Sequence, residues 1–161
     1  MTPREIADLS LQCGHRALSA DAKKQGGVTY TPFSIAYAMV ARVNPSPDES
    51  WLDPAIGRGM FLWATLQYFQ DQQYPSWSIQ QFLHRHMHAC EWDAAAAEDT
   101  ENLLALWCKD AGYTPPTRRW LYRGDTLMRT GCPKVDVLVG NPPYIRIQHL
   151  NPTMREQLRE H

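Results

Sequence analysis

The chain has no surplus of positive charge: Lys and Arg number 16 against 17 Asp and Glu, a net charge of -1 over 161 residues. A free-standing nucleic-acid binder ordinarily carries a basic excess, so that class is disfavoured, while an enzyme whose grip on DNA lies elsewhere is not. CxxC pairs are also lacking. The four cysteines, Cys13, Cys90, Cys108 and Cys132, read as reduced thiols of a cytosolic protein. No apolar run is long enough to span a bilayer, and the opening MTPREIADLS lacks the apolar core of a signal peptide. A soluble, cytoplasmic protein is expected. With 43% hydrophobic residues, the chain suffices for one globular domain with a real core.

Helix-like and strand-like segments alternate. Ile6, Leu9, Cys13, Ala17 and Leu18 recur at helical spacing, so residues 3–20 predict an amphipathic helix. The polar, glycine-ended DAKKQGG (21–27) separates this N-terminal element, 1–25, from the remainder, 26–161. In TPFSIAYAMVARV, Thr31 is placed to cap a helix with Pro32 in its first position and Ile35, Met39 and Val43 as one apolar stripe. WLDPAIGRGMFLWATLQYF reads as strand, glycine turn and helix, with Phe61, Leu62, Leu66 and Phe69 inward. A short helix near 78–85 and a strand near 86–91 follow. Asp93 is placed to cap a long helix closed by Gly112, with Leu103, Leu104 and Trp107 inward. RRWLYRGD and KVDVLVGN supply two more strands. This alternation predicts an α/β fold with a largely parallel sheet covered on both faces.

Ligands of such sheets sit beyond the carboxyl ends of the strands. Those ends carry Asp53-Pro-Ala-Ile-Gly, Glu91-Trp92, Gly124-Asp125 and Asn141-Pro-Pro-Tyr. Gly57 and Gly59 let the backbone approach a ligand where a β-carbon would collide. A carboxylate placed like Glu91 commonly accepts ribose hydroxyls; on its own it is equally a helix N-terminal carboxylate. Asp125 is suited to an adenine amine or to capping a turn.

The amide turn suits a particular chemistry. An exocyclic base amine is a poor nucleophile, because its lone pair is delocalised into the ring. Two acceptors aimed at its hydrogens favour the geometry in which nitrogen attacks an electrophilic carbon. The Asn141 side-chain oxygen and the Pro142 carbonyl are such acceptors, held by consecutive prolines that fix φ. Tyr144 offers a π face for an extruded base.

In order and spacing, TPFSIAYAM, LDPAIGRGMFL, EWD, GDTL and NPPYIR resemble the S-adenosylmethionine-dependent DNA adenine-N6 methyltransferases of restriction–modification systems. The likeness is to the subgroup whose Thr-Pro helix precedes the glycine motif, and it covers residues 26–150. It implies a Rossmann-like methyltransferase sheet and a reaction on a flipped-out adenine. By the same resemblance Thr31 and Pro32 flank the methionine end of the cofactor, and Asp53, Pro54, Ala55, Gly57 and Gly59 form its cradle. Glu91 binds the ribose, Trp92 lies near the cofactor adenine and Asp125 binds its amine. Asn141, Pro142, Pro143 and Tyr144 hold the target adenine.

Two departures stand out. Ile56 and Arg58 occupy positions where the family has small residues (or a thiol, for the first); an isoleucine serves as an apolar wall, and an arginine fits if it points to solvent. Family members also continue into further strands and a target-recognition domain, whereas this sequence ends at His161 after a polar NPTMREQLREH. The sheet is therefore expected to be incomplete, with self-association or a complementing chain at the open edge of strand 135–139 and its Val137 and Val139. A metal site at His84, His86, His88 and Cys90 is the weaker reading, because ligands two apart on one strand splay along a line. Methylation of protein glutamine or of RNA base amines uses a similar turn and is the alternative activity; a non-catalytic fragment is the alternative class.

Overall fold

The computed structural model describes residues 1–17 and 31–142, with side chains placed for all but 13–17. The Cys13 side chain, the 21–27 break, Pro143, Tyr144 and the 151–161 segment lie outside what the structure describes. The elements in order are α1 (Pro3–Ala17), α2 (Phe33–Val43), β1 (Trp51–Asp53), α3 (Met60–Asp71), α4 (Ser76–Gln81), a π-helical turn (Phe82–His86), β2 (Met87–Glu91), α5 (Ala94–Ala111), β3 (Leu121–Arg123), a 3₁₀ turn (Thr126–Met128) and β4 (Val137–Leu138).

All four strands are parallel, in the order β3-β2-β1-β4. The chain runs outward from β1 through β2 to β3, then returns to the other side of β1 as β4. Between β1 and β4 lies the point where the strand order reverses, and in open α/β sheets the ligand crevice forms beyond the carboxyl ends at that point. The pairing is fixed at its entry: Asp136 Oδ2 accepts from Ser50 N (2.9 Å) and Ser50 Oγ (2.6 Å). This bonding holds the Asp136 carboxyl below its usual range.

Local sequence sets the helix ends. Asp93 Oδ1 accepts from Ala95 N and Ala96 N at 2.8 and 3.0 Å, and Gly112 closes α5 in the left-handed region at φ 78. The α2 start departs from expectation. Pro32, at φ -57 and ψ 140, takes the cap position; no side chain caps the helix there, and the Pro32 carbonyl accepts from Ile35 N and Ala36 N. Thr31 is left with another task.

The core lies under one face of the sheet. Trp51, Met87, Ala89, Leu121, Val137 and Val139 join it from the strands. Helix α3 is buried from Met60 to Leu66 and again at Tyr68 and Phe69. It is thus buried all round instead of along the four-residue stripe expected, because α1 and α2 both pack on it. Ile6 and Ala7 of α1 belong to this same core. The other set of strand side chains, Leu52, Cys90 and Leu138, stays outside it, and Leu138 is 66% exposed. Leu52 and Cys90 are nonetheless buried, at 4% and 0% exposure, so this face is covered over β1 and β2 and open at β4.

Two apolar assignments change. On α2 the inward residues are Ala36 and Val40, while Ile35, Met39 and Val43 are all exposed. The spacing of the stripe is helical, but it points away from the core. On β4, Val139 N donates to Leu52 O at 3.0 Å and Val137 N to Ser50 O at 2.9 Å. Both face β1, so Leu138 is the residue turned to the open side. No helix of the described residues is long and apolar enough to cross a membrane.

Candidate active site

Strand β1 ends in a carboxylate with little company. Asp53 is 1% exposed, and its Oδ1 accepts from Ala55 N at 3.0 Å. Burial pushes its pKa up to about 7, against the pull of the Ala55 N–H and with the Glu91 charge adding to the rise. Beyond it the chain turns through Pro54 to Gly59. Ile56 is buried, its N–H bonded to Cys90 O at 2.9 Å, so the apolar wall expected at that position is present.

The two glycines of the turn serve different ends. Both have positive φ, 54 for Gly57 and 79 for Gly59. A β-carbon on Gly57 would meet nothing nearer than Ala55 O at 4.0 Å; one on Gly59 would strike Trp63 Nε1 at 2.9 Å and Thr100 Cγ2 at 3.1 Å. Gly57 therefore presents a bare backbone to open space. Gly59 is bare so that α3 and α5 can close over it, not so that a ligand can approach.

Glu91, 8% exposed, ends β2 beside this turn. Its Oε2 accepts from Gly57 N at 2.7 Å and its Oε1 from Asp93 N at 2.9 Å. One carboxylate thus links the glycine loop to the start of α5 and keeps lone pairs for a further donor, since a carboxylate offers about four. Thr100 adds a second tie, donating to Gly57 O at 2.9 Å. Trp92 is 72% exposed, leaving its ring free. At the end of β3, Asp125 Oδ1 accepts from Leu127 N at 3.0 Å, so this residue does cap a turn. Its neighbour Thr126 donates to Pro54 O, drawing that turn towards the β1 end.

Arg58 does not point to solvent. It is 4% exposed, with Nη1 2.9 Å from Asp99 Oδ2 and 3.4 Å from Ser10 O. Its guanidinium turns away from the crevice and ties the glycine loop to α5 and α1. The bulky cation between the glycines is thus compatible with an open cradle.

The amide turn enters from β4. Asn141 is half-buried and Pro142 exposed. A β-carbon on Gly140 would lie 2.6 Å from Asp53 Oδ1 and 3.1 Å from Pro54 Cδ. Only a bare residue lets the turn pass so close to the end of β1. Gly140→Ala is accordingly expected to destabilise the fold by about 1–3 kcal/mol, the scale of overpacking. Urea unfolding measures this, and an unchanged midpoint would mean that the β4 end yields freely. Across the crevice, Asn141 Nδ2 donates to Thr31 Oγ1 at 3.1 Å. Thr31, Asp53, Gly57, Glu91 and Asn141 are thus joined at one edge of the sheet by short links.

Sequence reasoning did not single out Gly140, Thr100 or Thr126. Gly140 had a signal in its place between a strand and the amide turn. Thr100 and Thr126 had none, since each acts through a contact far along the chain. His84 and His86 lie in the π-helical turn and only His88 on β2; among the described residues no cluster of His, Cys, Asp or Glu could hold a metal.

Parallel strands, a glycine turn and an acidic residue closing the second strand gather these groups at one end of an α/β sheet, and comparison with known proteins gives the family. The M protein of the type I restriction enzyme EcoKI superposes with a TM-score of 0.59 at 22% identity, covering 73% of this chain and 26% of its own. A modification subunit assigned to a type I restriction enzyme of Vibrio vulnificus YJ016 superposes with a TM-score of 0.65 at 21% identity, covering 96% of this chain and 33% of its own. The chain thus spans about a quarter to a third of the length of these structures, and the likeness establishes the fold. No curated protein matches the sequence. Residues 16–159 match the N-6 DNA methylase family, and the chain belongs to that family.

Proposed function

We propose that this chain forms the cofactor-binding and catalytic region of a DNA adenine-N6 methyltransferase of restriction–modification type. The observation that carries the reading is the meeting of the two turns: Gly140 in contact with Asp53, and Asn141 bonded to Thr31, both beside the loop that Glu91 holds. S-adenosylmethionine supplies an activated methyl group on a sulfonium. The chain's residues fit it: Gly57 leaves an open backbone face, Glu91 has acceptor capacity for ribose hydroxyls, and Asp53 is a buried carboxyl near a site for positive charge. Thr31 and Pro32 stand at the side of Asn141, and the exposed Trp92 ring and the half-buried Asp125 suit the adenine end.

Asn141 Oδ1 and the Pro142 carbonyl accept the two hydrogens of the target amine, which localises its lone pair toward the incoming carbon. As the new N–C bond formed, the methyl–sulfur bond would break with its electron pair staying on the sulfur as a neutral thioether, and the amine would lose one proton to solvent. Pro143 and Tyr144 complete the turn in this reading, the ring stacking on the extruded base. DNA is the substrate, and the exposed Leu138 beside the open side of β4 supports a further strand or chain completing the sheet. Family membership favours DNA over protein glutamine or RNA.

Calorimetry tests the cofactor site. Glu91→Ala is expected to weaken S-adenosylmethionine binding by about 1.5–3 kcal/mol, the scale of hydrogen bonds to a charged group. Equal affinity in mutant and parent would remove Glu91 from the site. Transfer of labelled methyl to DNA, RNA and protein offered side by side tests the substrate; label in protein or RNA alone would overturn the DNA reading.

A further inference from the structure

We infer that Thr31 is a positioning residue for the Asn141 carboxamide, a role beyond flanking a cofactor; the inference rests on the function proposed above. A carboxamide has a donor end and an acceptor end of nearly the same shape. Only the acceptor end assists an amine nucleophile. Turned by 180°, Asn141 would aim N–H groups at the hydrogens of that amine and oppose its approach. Something must break this symmetry, and the structure has one candidate: Asn141 Nδ2 donates to Thr31 Oγ1 at 3.1 Å across 110 residues of sequence. Among the described residues Asn141 Oδ1 accepts no hydrogen bond, so the acceptor end is the one left for a ligand.

The geometry of Thr31 supports this role. A threonine just ahead of a helix ordinarily caps it, its oxygen accepting from the first turn. Helix α2 has no side-chain cap, and the Pro32 carbonyl takes the first N–H groups instead. The Thr31 hydroxyl is therefore available to the amide. Its backbone is held in place by the pyrrolidine of Pro32 on one side, as that of Asn141 is by Pro142. Both side chains are half-buried, where a hydrogen bond competes with less water.

Nuclear magnetic resonance of the 161-residue chain tests the pair, with Thr31→Val and Thr31→Ser as variants. In the parent, the Asn141 side-chain protons are expected to exchange with solvent several-fold to about tenfold more slowly than in Thr31→Val, the factor of one ordinary hydrogen bond. Thr31→Ser should restore the slow exchange. Calorimetry of the parent with S-adenosylmethionine reads the proposed cofactor site independently of the amide signals. A cross-peak between the Asn141 amide protons and the Thr31 side chain in the parent decides the contact even if a variant fails to fold. Exchange that is equally fast in parent and Thr31→Val overturns the inference. So does a loss of cofactor affinity with unaltered amide signals, which would confine Thr31 to the cofactor. A parent that binds no S-adenosylmethionine would sink the proposed function, while the amide signals would still judge the Thr31–Asn141 pair.

Discussion

Asn141→Ala is expected to lower methyl transfer to adenine by at least about a hundredfold, in whichever assembly carries the activity, while cofactor affinity stays within about twofold. The magnitude is that of removing one preorganised polar group from a site where charge develops, on the order of 10²–10³ in rate. The separation of the two effects follows from the links at the strand ends. Glu91 and the glycine loop are held by each other and by Thr100, Thr126 and Arg58. The side-chain amide bonds to Thr31, outside the ties that hold Glu91 and the glycine loop. Removing it therefore takes away the acceptor and leaves the cradle standing. A turnover rate equal to the parent's would reduce the Asn-Pro-Pro turn to a structural one, and the proposed function would go with it.

Asp53→Asn is expected to stabilise the protein at pH 8 and to change little at pH 4. The Asp53 carboxyl has its pKa raised from 3.8 to about 7 by burial. A folded state that holds its proton more tightly than the unfolded chain gains stability fully below the unfolded value, and loses it as pH rises through the folded one. Roughly three pH units at 1.36 kcal/mol each give a loss on the order of 4 kcal/mol between pH 4 and 7. Asparagine has nearly the same shape, keeps an oxygen for Ala55 N, and carries no charge to desolvate. Denaturation of parent and variant in parallel from pH 4 to 8 measures the difference. Curves that stay parallel across that range would show that Asp53 is not charged at a cost in the folded protein. A buried carboxyl that destabilises its own fold is the kind of perturbed group that collects at functional sites.

The sequence revealed the strand ends well and the contacts between them poorly. Asp53 and Glu91 end their strands, and Asp125 and Asn141 follow β3 and β4 closely, because alternating apolar runs and breakers are local signals, legible one element at a time. Asp93 and Gly112 bound α5 for the same reason. Thr31 was assigned to capping on equally local grounds, and a partner 110 residues away took it instead. Arg58 fits an open cradle without pointing to solvent, the one condition its sequence position suggests for an arginine there. Its burial depends on Ser10 and Asp99, which approach only after α1 and α5 have docked. The stripe Ile35, Met39 and Val43 shows the limit of periodicity: spacing gives one face of a helix, but burial by neighbours decides which face goes inward.

The strand order has a consequence for synthesis. Strand β4 pairs with β1 in the register Trp51↔Val137, across 86 residues of chain. At a ribosomal rate of about 5–20 residues per second, Val137 is made roughly 4–17 s after Trp51. Strands β1, β2 and β3, with Glu91 and the glycine loop, are complete before Asn141 has been translated. A nascent chain therefore acquires its cradle first, and the group that would act on a base arrives last. Its insertion beside β1 closes the longest loop in the described sheet, the slowest kind of contact to form.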